Sequence, residues 1–369
     1  MPDQPSTPSA PALCGSVLVL IQFDVCEELR LDRLQQAINA RTMQQPSMKH
    51  AAPSYVRYHR PPVMGPLEPL VLESGERLEG EVKYYDYGVA SVIYQLPFAG
   101  DWQSLVNLAS RWVWDVDFAS RVEPLIRQKL EHVSSAMIRP YQKWLSEDYF
   151  IFHVREAAGT PNAAELTRAH GPEIAQVVRG DKLLLSDGET REVLQSQVSY
   201  YAGDVAVIGW NAAFLYDSTS GADTSIQLLE YANSQLLEFR HYDELLTEIL
   251  DSVYDLLGKK TGFFARWGLV KSARSLHTVL LDVAELTERA DNAIKFLSDM
   301  FAARLYRLAA GKVGVPDYKD LVAQKLKTAE DLYHDMLEQF NQSRAFFLEM
   351  TVVLILLIEL VFLFKGNPF

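Results

Sequence analysis

The sequence predicts an α+β fold: an N-terminal mixed or antiparallel α/β domain, an antiparallel, coiled-coil-like helical stalk, and one C-terminal transmembrane helix. Short apolar runs rich in β-branched and aromatic residues alternate with helical patterns up to about residue 217. Apolar residues then recur every three or four positions up to about residue 344, which indicates long amphipathic helices. The run over 345–364 is almost entirely apolar, which is typical of a membrane span.

Composition limits the class of protein. Of the 369 residues, 48% are hydrophobic and 22% are charged, so most of the chain should fold around a core. The net charge of −13 repels phosphates, and the sequence therefore predicts no DNA partner. The two cysteines, Cys14 and Cys26, form no CxxC pair, so we expect two reduced thiols, no metal site and no cofactor.

The N-terminal part of the chain is predicted to be a short tail and a folded domain. Residues 1–13, rich in proline and serine, are expected to be disordered, and 14–217 to form the soluble α+β domain. The apolar run over 16–25 predicts the first strand, and the pattern over 101–129 predicts a helix. The turn at 202–204 predicts a hairpin.

The region 222–344 is predicted to be a stalk of three long helices. Asp223 or Thr224 is placed to cap the first helix. A break near 258 separates the first helix from the second, and a break at 311–316 separates the second from the third. Because short connections join antiparallel neighbours, we expect the helices to pack side by side in alternating directions.

The apolar C-terminal run predicts a transmembrane helix over 345–365. Twenty helical residues reach about 30 Å, the thickness of the hydrocarbon core. Glu349 would lie at the headgroup boundary and Glu359 near the middle of the bilayer, where a carboxylate costs about 2.5–3.5 kcal/mol. We therefore expect a homo-oligomer in which Glu359 and Glu349 are contacts; a protonated Glu359 without a role is the open alternative.

The linker after the first stalk helix is a basic and aromatic cluster in an otherwise acidic chain. If the second and third helices are antiparallel and of similar length, this linker lies level with the membrane surface, and its cations place the soluble body in the cytoplasm. A solvated connection and a contact with RNA are the alternatives. The predicted membrane-surface or partner contacts are Lys259, Lys260, Phe263, Phe264, Arg266, Trp267, Lys271 and Arg274.

Catalytic motifs are missing from the sequence. It contains no P-loop, no GxSxG and no HExxH, so it predicts a protein that is not an enzyme and has no catalytic residues. Asp115-Val116-Asp117 has the spacing of some metal-sugar sites, but on a helix such a pair is usually surface charge. His153 lies in an apolar strand and is expected to be a core histidine.

Three segments, 199–217, 228–246 and 343–362, resemble a domain-of-unknown-function family that includes the eukaryotic "required for meiotic nuclear division" proteins. Leu348-Glu349 and Ile358-Glu359 match the two Leu/Ile-Glu pairs of that family's C-terminal helix, although Met350 stands where the family often has tryptophan. The resemblance implies a non-enzymatic, oligomeric membrane protein, connected in the mitochondrial branch with translation.

Together these observations predict a non-enzymatic, membrane-anchored oligomeric scaffold or tether. It would be a single-pass protein of the cytoplasmic (inner) membrane with its body in the cytoplasm. The expected partners are the protein itself, membrane lipid, and a ribosome or another membrane protein. The alternative function is a subunit of an oligomeric ion channel or transporter, with Glu359 facing the bundle or pore.

Overall fold

The computed structural model of the protein describes residues 12–38, 41–42, 61–159, 161–258, 278–279, 281, 283–284 and 300–364. The described residues form two compact units. The first is drawn from Met1–His241 and Glu288–Tyr318, and the second from Tyr242–Thr287 and Lys319–Phe369.

The first unit is built on a sheet that has nine strands among the described residues. The strands are β1 (Leu13–Leu29), β2 (Arg41–Thr42), β3 (Val63–Val71), β4 (Arg77–Tyr84), β5 (Val89–Gly100), β6 (Met137–Ala157), β7 (Gln197–Val198), β8 (Val205–Ile208) and β9 (Ala212–Tyr216). Their order across the sheet is β2-β3-β4-β5-β1-β6-β9-β8-β7. Neighbours are antiparallel except β6 and β9, which run parallel, so the sheet is mixed.

The helices fall into short and long groups. Among the described residues, six α-helices have between 8 and 17 residues, whereas α6 and α8 have 40 and 50. Their bounds are α1 (Leu31–Ile38), α2 (Trp102–Trp114), α3 (Phe118–Glu131), α4 (Ala163–Arg179), α5 (Asp187–Gln195), α6 (Thr219–Gly258), α7 (Met300–Val313) and α8 (Val315–Phe364).

The sheet is covered on both faces. On one face, alternate residues of β1, β5 and β6 pack with apolar residues of α2, α3 and α4 in one large core. On the other face lies α6, whose Leu237 packs with Tyr85 and Val89 of the sheet. Helix α7 joins α6 there through a hydrogen bond from the Tyr306 hydroxyl to Gln235. The first unit therefore has three layers, with the sheet in the middle.

Two aspartates divide the segment 101–129, which the sequence predicted as one helix. Helix α2 ends at Trp114, with Asp115 as its C-cap, and α3 begins at Phe118. Asp117 is the N-cap of α3, because its carboxylate accepts a hydrogen bond from the Ser120 amide at 3.0 Å. The Asp-Val-Asp motif therefore marks a helix–helix break, where the Asp115 backbone N–H bonds to the Arg111 carbonyl at the end of α2 and the Asp117 carboxylate caps the start of α3.

The second unit has an apolar core of its own. Leu246 and Leu250 of α6 are buried there, as are Val322 and Ala329 of α8. Lys325 of α8 bonds to the carboxylate of Asp243 and the hydroxyl of Thr247 on α6, each at 2.6 Å. Most of the segment predicted as the second stalk helix, which begins near residue 272, lies outside the described residues.

The predicted transmembrane helix over 345–365 is wrong. In the part of the chain that the structure describes, no helix contains a stretch long and apolar enough to cross a membrane. Helix α8 continues through this region to Phe364, and it carries two carboxylates there, Glu349 and Glu359. The predicted single-pass topology and the predicted location in the cytoplasmic membrane depended on this helix and are wrong as well. The α+β class of the fold is as expected.

Cys26 occupies an irregular position of the central strand. The pairing of β1 with β6 shifts register between Asp24 and Cys26, and the backbone carbonyl of Cys26 lies so close to Gly88 that a methyl group there would be 1.7 Å away. The Cys26 thiol donates to the Glu28 carbonyl at 3.2 Å. Burial, and then the charges of Asp24 and Glu238, raises the pKa of this thiol from 9.0 to about 12.

We therefore predict that Cys26 alkylates very slowly in the folded protein. A pKa near 12 lowers the thiolate fraction about 1,000-fold at neutral pH, and only the thiolate reacts. The measurement is iodoacetamide labelling of a Cys14→Ser variant at pH 8, followed by mass spectrometry, with the urea-unfolded chain as the control. Folded and unfolded rates within tenfold of each other would contradict this account of the strand.

Candidate functional site

The structure places only part of the sequence-predicted contact set. Glu349 and Glu359 both lie on α8, with exposed side chains. The eight predicted linker contacts, from Lys259 to Arg274, lie outside the described residues and stay a prediction.

The end of α8 is an exposed apolar surface. From Leu348 to Leu363 every large apolar side chain is between 47% and 81% exposed. At 100° per residue, Met350, Leu354, Leu357 and Val361 fall on one side of the helix, at the alternating spacing of four and three that a coiled-coil seam requires. We call these four residues the α8 seam.

The glutamates lie away from the α8 seam. Glu349 and Glu359 are about 80° apart around the helix axis and about 15 Å apart along it, on the opposite side from Leu354. Val352, Leu356 and Leu363 share that side with them. The helix therefore has one wholly apolar side and one that carries both carboxylates.

A second candidate is a buried polar network between the sheet and α6, which sequence analysis did not find. Its centre is an ion pair between Lys83 of β4 and Glu230 of α6, with Nζ and Oε2 2.6 Å apart. The two side chains are only 5% and 1% exposed. Glu81, whose pKa is raised by burial, lies near enough to feel both charges.

The central strand contributes to the same network. The side-chain amide of Gln22 donates to the Glu230 carbonyl at 2.9 Å and to the Ser91 hydroxyl at 3.2 Å. Asp24 pairs with Nδ1 of His241 at 2.8 Å. Burial raises the pKa of Asp24, and the hydrogen bond to His241 opposes that rise. The His241 ring stacks on Tyr141 with centroids 4.6 Å apart.

The neighbouring contacts continue along α6. Arg240 forms an ion pair with Glu147 of β6, whose pKa is raised by burial despite that pairing. Tyr87 and Ser234 share a hydrogen bond of 3.0 Å. These contacts join β1, β4 and β6 to one helix, so the network fixes the register in which α6 lies on the sheet.

The sequence signal for this network exists but is ambiguous. Glu230, Ser234, Glu238 and His241 follow one another at spacings of four, four and three, which places them on one face of a helix. Such a stripe is usually a solvated face, and here it is the buried face. Only the matching polar residues within the apolar strand β1 could have indicated the difference.

His153 behaves as the sequence predicted, as a core histidine. It is 4% exposed, and its Nε2 is 2.9 Å from the Asp217 carbonyl. Burial lowers its pKa. Among the described residues, no three His, Cys, Asp or Glu side chains are grouped so that they could hold a metal ion.

A groove of about 520 Å³ lies on the helical side of the first unit, between the end of β5 and α2. Leu96 and Phe98 form its apolar wall, and Asn107 and Arg111 its polar one. Arg111 already pairs with Glu76 across the groove. Glu76 therefore neutralises one of the two cations that line the groove, and Lys182 is the other.

Comparison with known proteins gives a family and a relative. A family model described as the N-terminal domain of the uncharacterized protein MJ0711 matches residues 14–223. The uncharacterized protein MJ0711 of Methanocaldococcus jannaschii is 22% identical over 170 residues, which are 46% of this chain and 52% of the relative. The chain therefore matches about half the length of that relative, and no solved structure matches it. The narrower resemblance to the "required for meiotic nuclear division" proteins stays a prediction.

We predict that the loss of one partner of the Lys83–Glu230 ion pair destabilises the fold more than the loss of both. Lys83→Met leaves a carboxylate buried without its cation and should lower the free energy of unfolding by about 3–5 kcal/mol. The double variant Lys83→Met/Glu230→Leu should regain most of that loss, because no charge then remains unpaired. The measurement is urea unfolding at pH 7.

The control is Arg77→Met, which removes an ion pair with Glu79 whose side chains are 65% and 70% exposed, and it should cost less than about 1 kcal/mol. A double variant as unstable as Lys83→Met would show that packing, and not the unpaired charge, accounts for the loss.

Proposed function

The chain belongs to the family defined by the N-terminal domain of the uncharacterized protein MJ0711, and we propose that it carries this domain as part of a non-enzymatic, oligomeric scaffold. The family match covers the sheet and its helices up to residue 223. The surface that supports self-association lies elsewhere, at the end of α8.

The exposed α8 seam is the observation that carries this proposal. An apolar helix surface of this length is unfavourable in water, since each buried methylene is worth about 0.8 kcal/mol. A second copy supplies the same four residues, Met350, Leu354, Leu357 and Val361, at the same spacing. Knobs-into-holes packing between copies would bury them.

The proposal assigns the self-contact to the apolar side of α8. A seam that included Glu359 would bring like charges together in a parallel oligomer, at a cost that the opposite side avoids. The alternative is the contact through Glu349 and Glu359 that the sequence predicted. The two hypotheses differ in which substitutions should abolish self-association. The ion-channel alternative required a membrane span.

We predict that polar substitutions on the α8 seam dissociate the oligomer. The variant Leu354→Gln/Leu357→Gln/Val361→Gln should shift the mass from that of an oligomer to that of one chain, because three buried apolar side chains per copy are lost. The measurement is light scattering coupled to size exclusion, over a range of protein concentrations.

The matched control is Val352→Gln/Leu356→Gln/Leu363→Gln, on the side that carries the glutamates, which should stay oligomeric. The opposite pattern would assign the contact to Glu349 and Glu359. A wild-type chain that is monomeric at all concentrations, or that is recovered only as single chains in detergent micelles, would refute the scaffold.

The partner that we propose for the scaffold is the ribosome. Support comes from the resemblance of three segments, 199–217, 228–246 and 343–362, to a family connected in its mitochondrial branch with translation. The linker cations, Lys259, Lys260, Arg266, Lys271 and Arg274, are suited to RNA phosphates, and its aromatic residues to unstacked bases.

We predict that replacing these five linker cations with glutamine abolishes co-sedimentation of the full chain with ribosomes in a sucrose gradient. Wild-type binding should weaken steeply as salt rises, because phosphate contacts release counterions. The control variant Lys259→Arg/Lys260→Arg/Lys271→Arg keeps the charge and should bind as wild type does. Binding by the glutamine variant that equals wild type would rule out the linker as the contact.

A further inference from the structure

One end of the first unit exposes four large apolar side chains. Trp114 and Trp210 are 65% and 64% exposed, and Leu183 and Leu184 are 75% and 76% exposed. Trp114 is the last residue of α2, the two leucines follow α4, and Trp210 lies in the turn between β8 and β9. We call these four residues the tryptophan surface.

The end of α4 brings these residues together. Gly180 caps α4 in the left-handed conformation, at φ +66°, and a methyl group there would lie 3.0 Å from Nε1 of Trp114. Gly209, which precedes Trp210, approaches α4 as closely, since a methyl group on it would be 2.5 Å from Cγ1 of Val178. Two glycines therefore allow both tryptophan segments to meet the last turn of one helix.

The tryptophan surface is large for a protein surface. Two tryptophans and two leucines at these exposures present on the order of 500 Å² of side chain, which is the size of the largest apolar patches on monomers. Tryptophan is also the residue most enriched among those that dominate binding energy at interfaces. A surface of this kind is typical of a docking site for another protein.

Carboxylates surround this surface, and they favour a partner of positive charge. Asp115 and Asp117 follow Trp114 directly, and both are exposed. Asp148 of β6 is level with Trp210, because Phe150 pairs with Ala212 in the parallel register and donates to the Asn211 carbonyl at 2.9 Å.

Asp148 is one of the carboxylates of this surface. Within the described residues it is half-buried and takes part in no ion pair, and burial followed by the charge of Asp117 raises its pKa. Asp181 is also near, with its carboxylate accepting from the Leu183 amide at 2.9 Å, and Lys182 is the one cation of that loop. Arg121 also acts on Asp117, but it forms an ion pair with Glu73, so the four carboxylates still outnumber the cations and give the surface a negative rim.

We propose that the tryptophan surface docks a basic segment of a partner protein, with arginine or lysine side chains over Trp114 and Trp210 and aliphatic side chains against Leu183 and Leu184. A guanidinium over an indole ring gains a cation–π interaction that a neutral partner lacks. Its charge at the same time offsets the negative potential of Asp115, Asp117 and Asp148. The docking site is independent of self-association through the α8 seam.

The test is fluorescence anisotropy with the full chain and two short labelled peptides, one alternating arginine with leucine and the other glutamate with leucine. The basic peptide should bind at least about tenfold more tightly than the acidic one, and less tightly as salt rises. Trp114→Ser and Trp210→Ser should each weaken the basic peptide about tenfold, and Asp148→Asn several-fold.

The control is Tyr254→Ser, which removes an aromatic ring of similar exposure, 50%, from the second unit and should leave binding unchanged. Where a tryptophan variant does not fold, Leu183→Ser/Leu184→Ser gives the same test, since both side chains point into solvent. Equal binding of the two peptides, or wild-type affinity in the folded variants, would overturn the proposal. Peptide affinity is read separately from the oligomer mass, so failure of the scaffold and failure of the docking site are distinguishable.

Discussion

The central strand β1 has a neighbour on each edge and helices over each face, so its polar side chains must find partners inside the protein. Gln22 meets the backbone of Glu230, and Asp24 meets His241, both on α6. Lys83 on β4 meets the Glu230 carboxylate. An uncompensated charge in this position costs several kcal/mol, so a shift of α6 by one residue, which turns each side chain by about 100°, would be strongly unfavourable. The layer over the second sheet face is thus positioned by charged contacts as well as by apolar packing.

Local patterns predicted the α+β character and the first strand, because a strand buried on both faces has the continuous apolar sequence of β1. Local patterns failed where the same residue type is compatible with two structural roles. Asp115 and Asp117 were interpreted as surface charge on one helix, but they end one helix and start the next. The stripe from Glu230 to His241 was not recognised because its partners lie 147 and 208 residues away in sequence, beyond any periodicity. The span over 345–364 was predicted from hydropathy, but no helix in the described part of the chain has a stretch long and apolar enough to cross a membrane.

The two surfaces proposed for binding differ in chemistry. The α8 seam is apolar along its length and repeats at heptad spacing, so its natural partner is an identical helix. The tryptophan surface is rigidly placed on a sheet and two helix ends and is surrounded by carboxylates, which a copy of the same surface would repel. Self-association and partner binding can therefore coexist in one chain without competition for the same residues.

The family match ends at residue 223, seven positions before Glu230, and this has a consequence for synthesis of the chain. Strand β1 leaves the ribosome about 200 residues before the helix that neutralises Lys83 and satisfies Gln22. At about 5–20 residues per second, the second face of the sheet stays open for at least ten seconds. The segment that matches the family is consequently shorter than the segment needed to fold the sheet, and a nascent chain halted at residue 223 would expose polar strand positions that α6 covers in the folded protein.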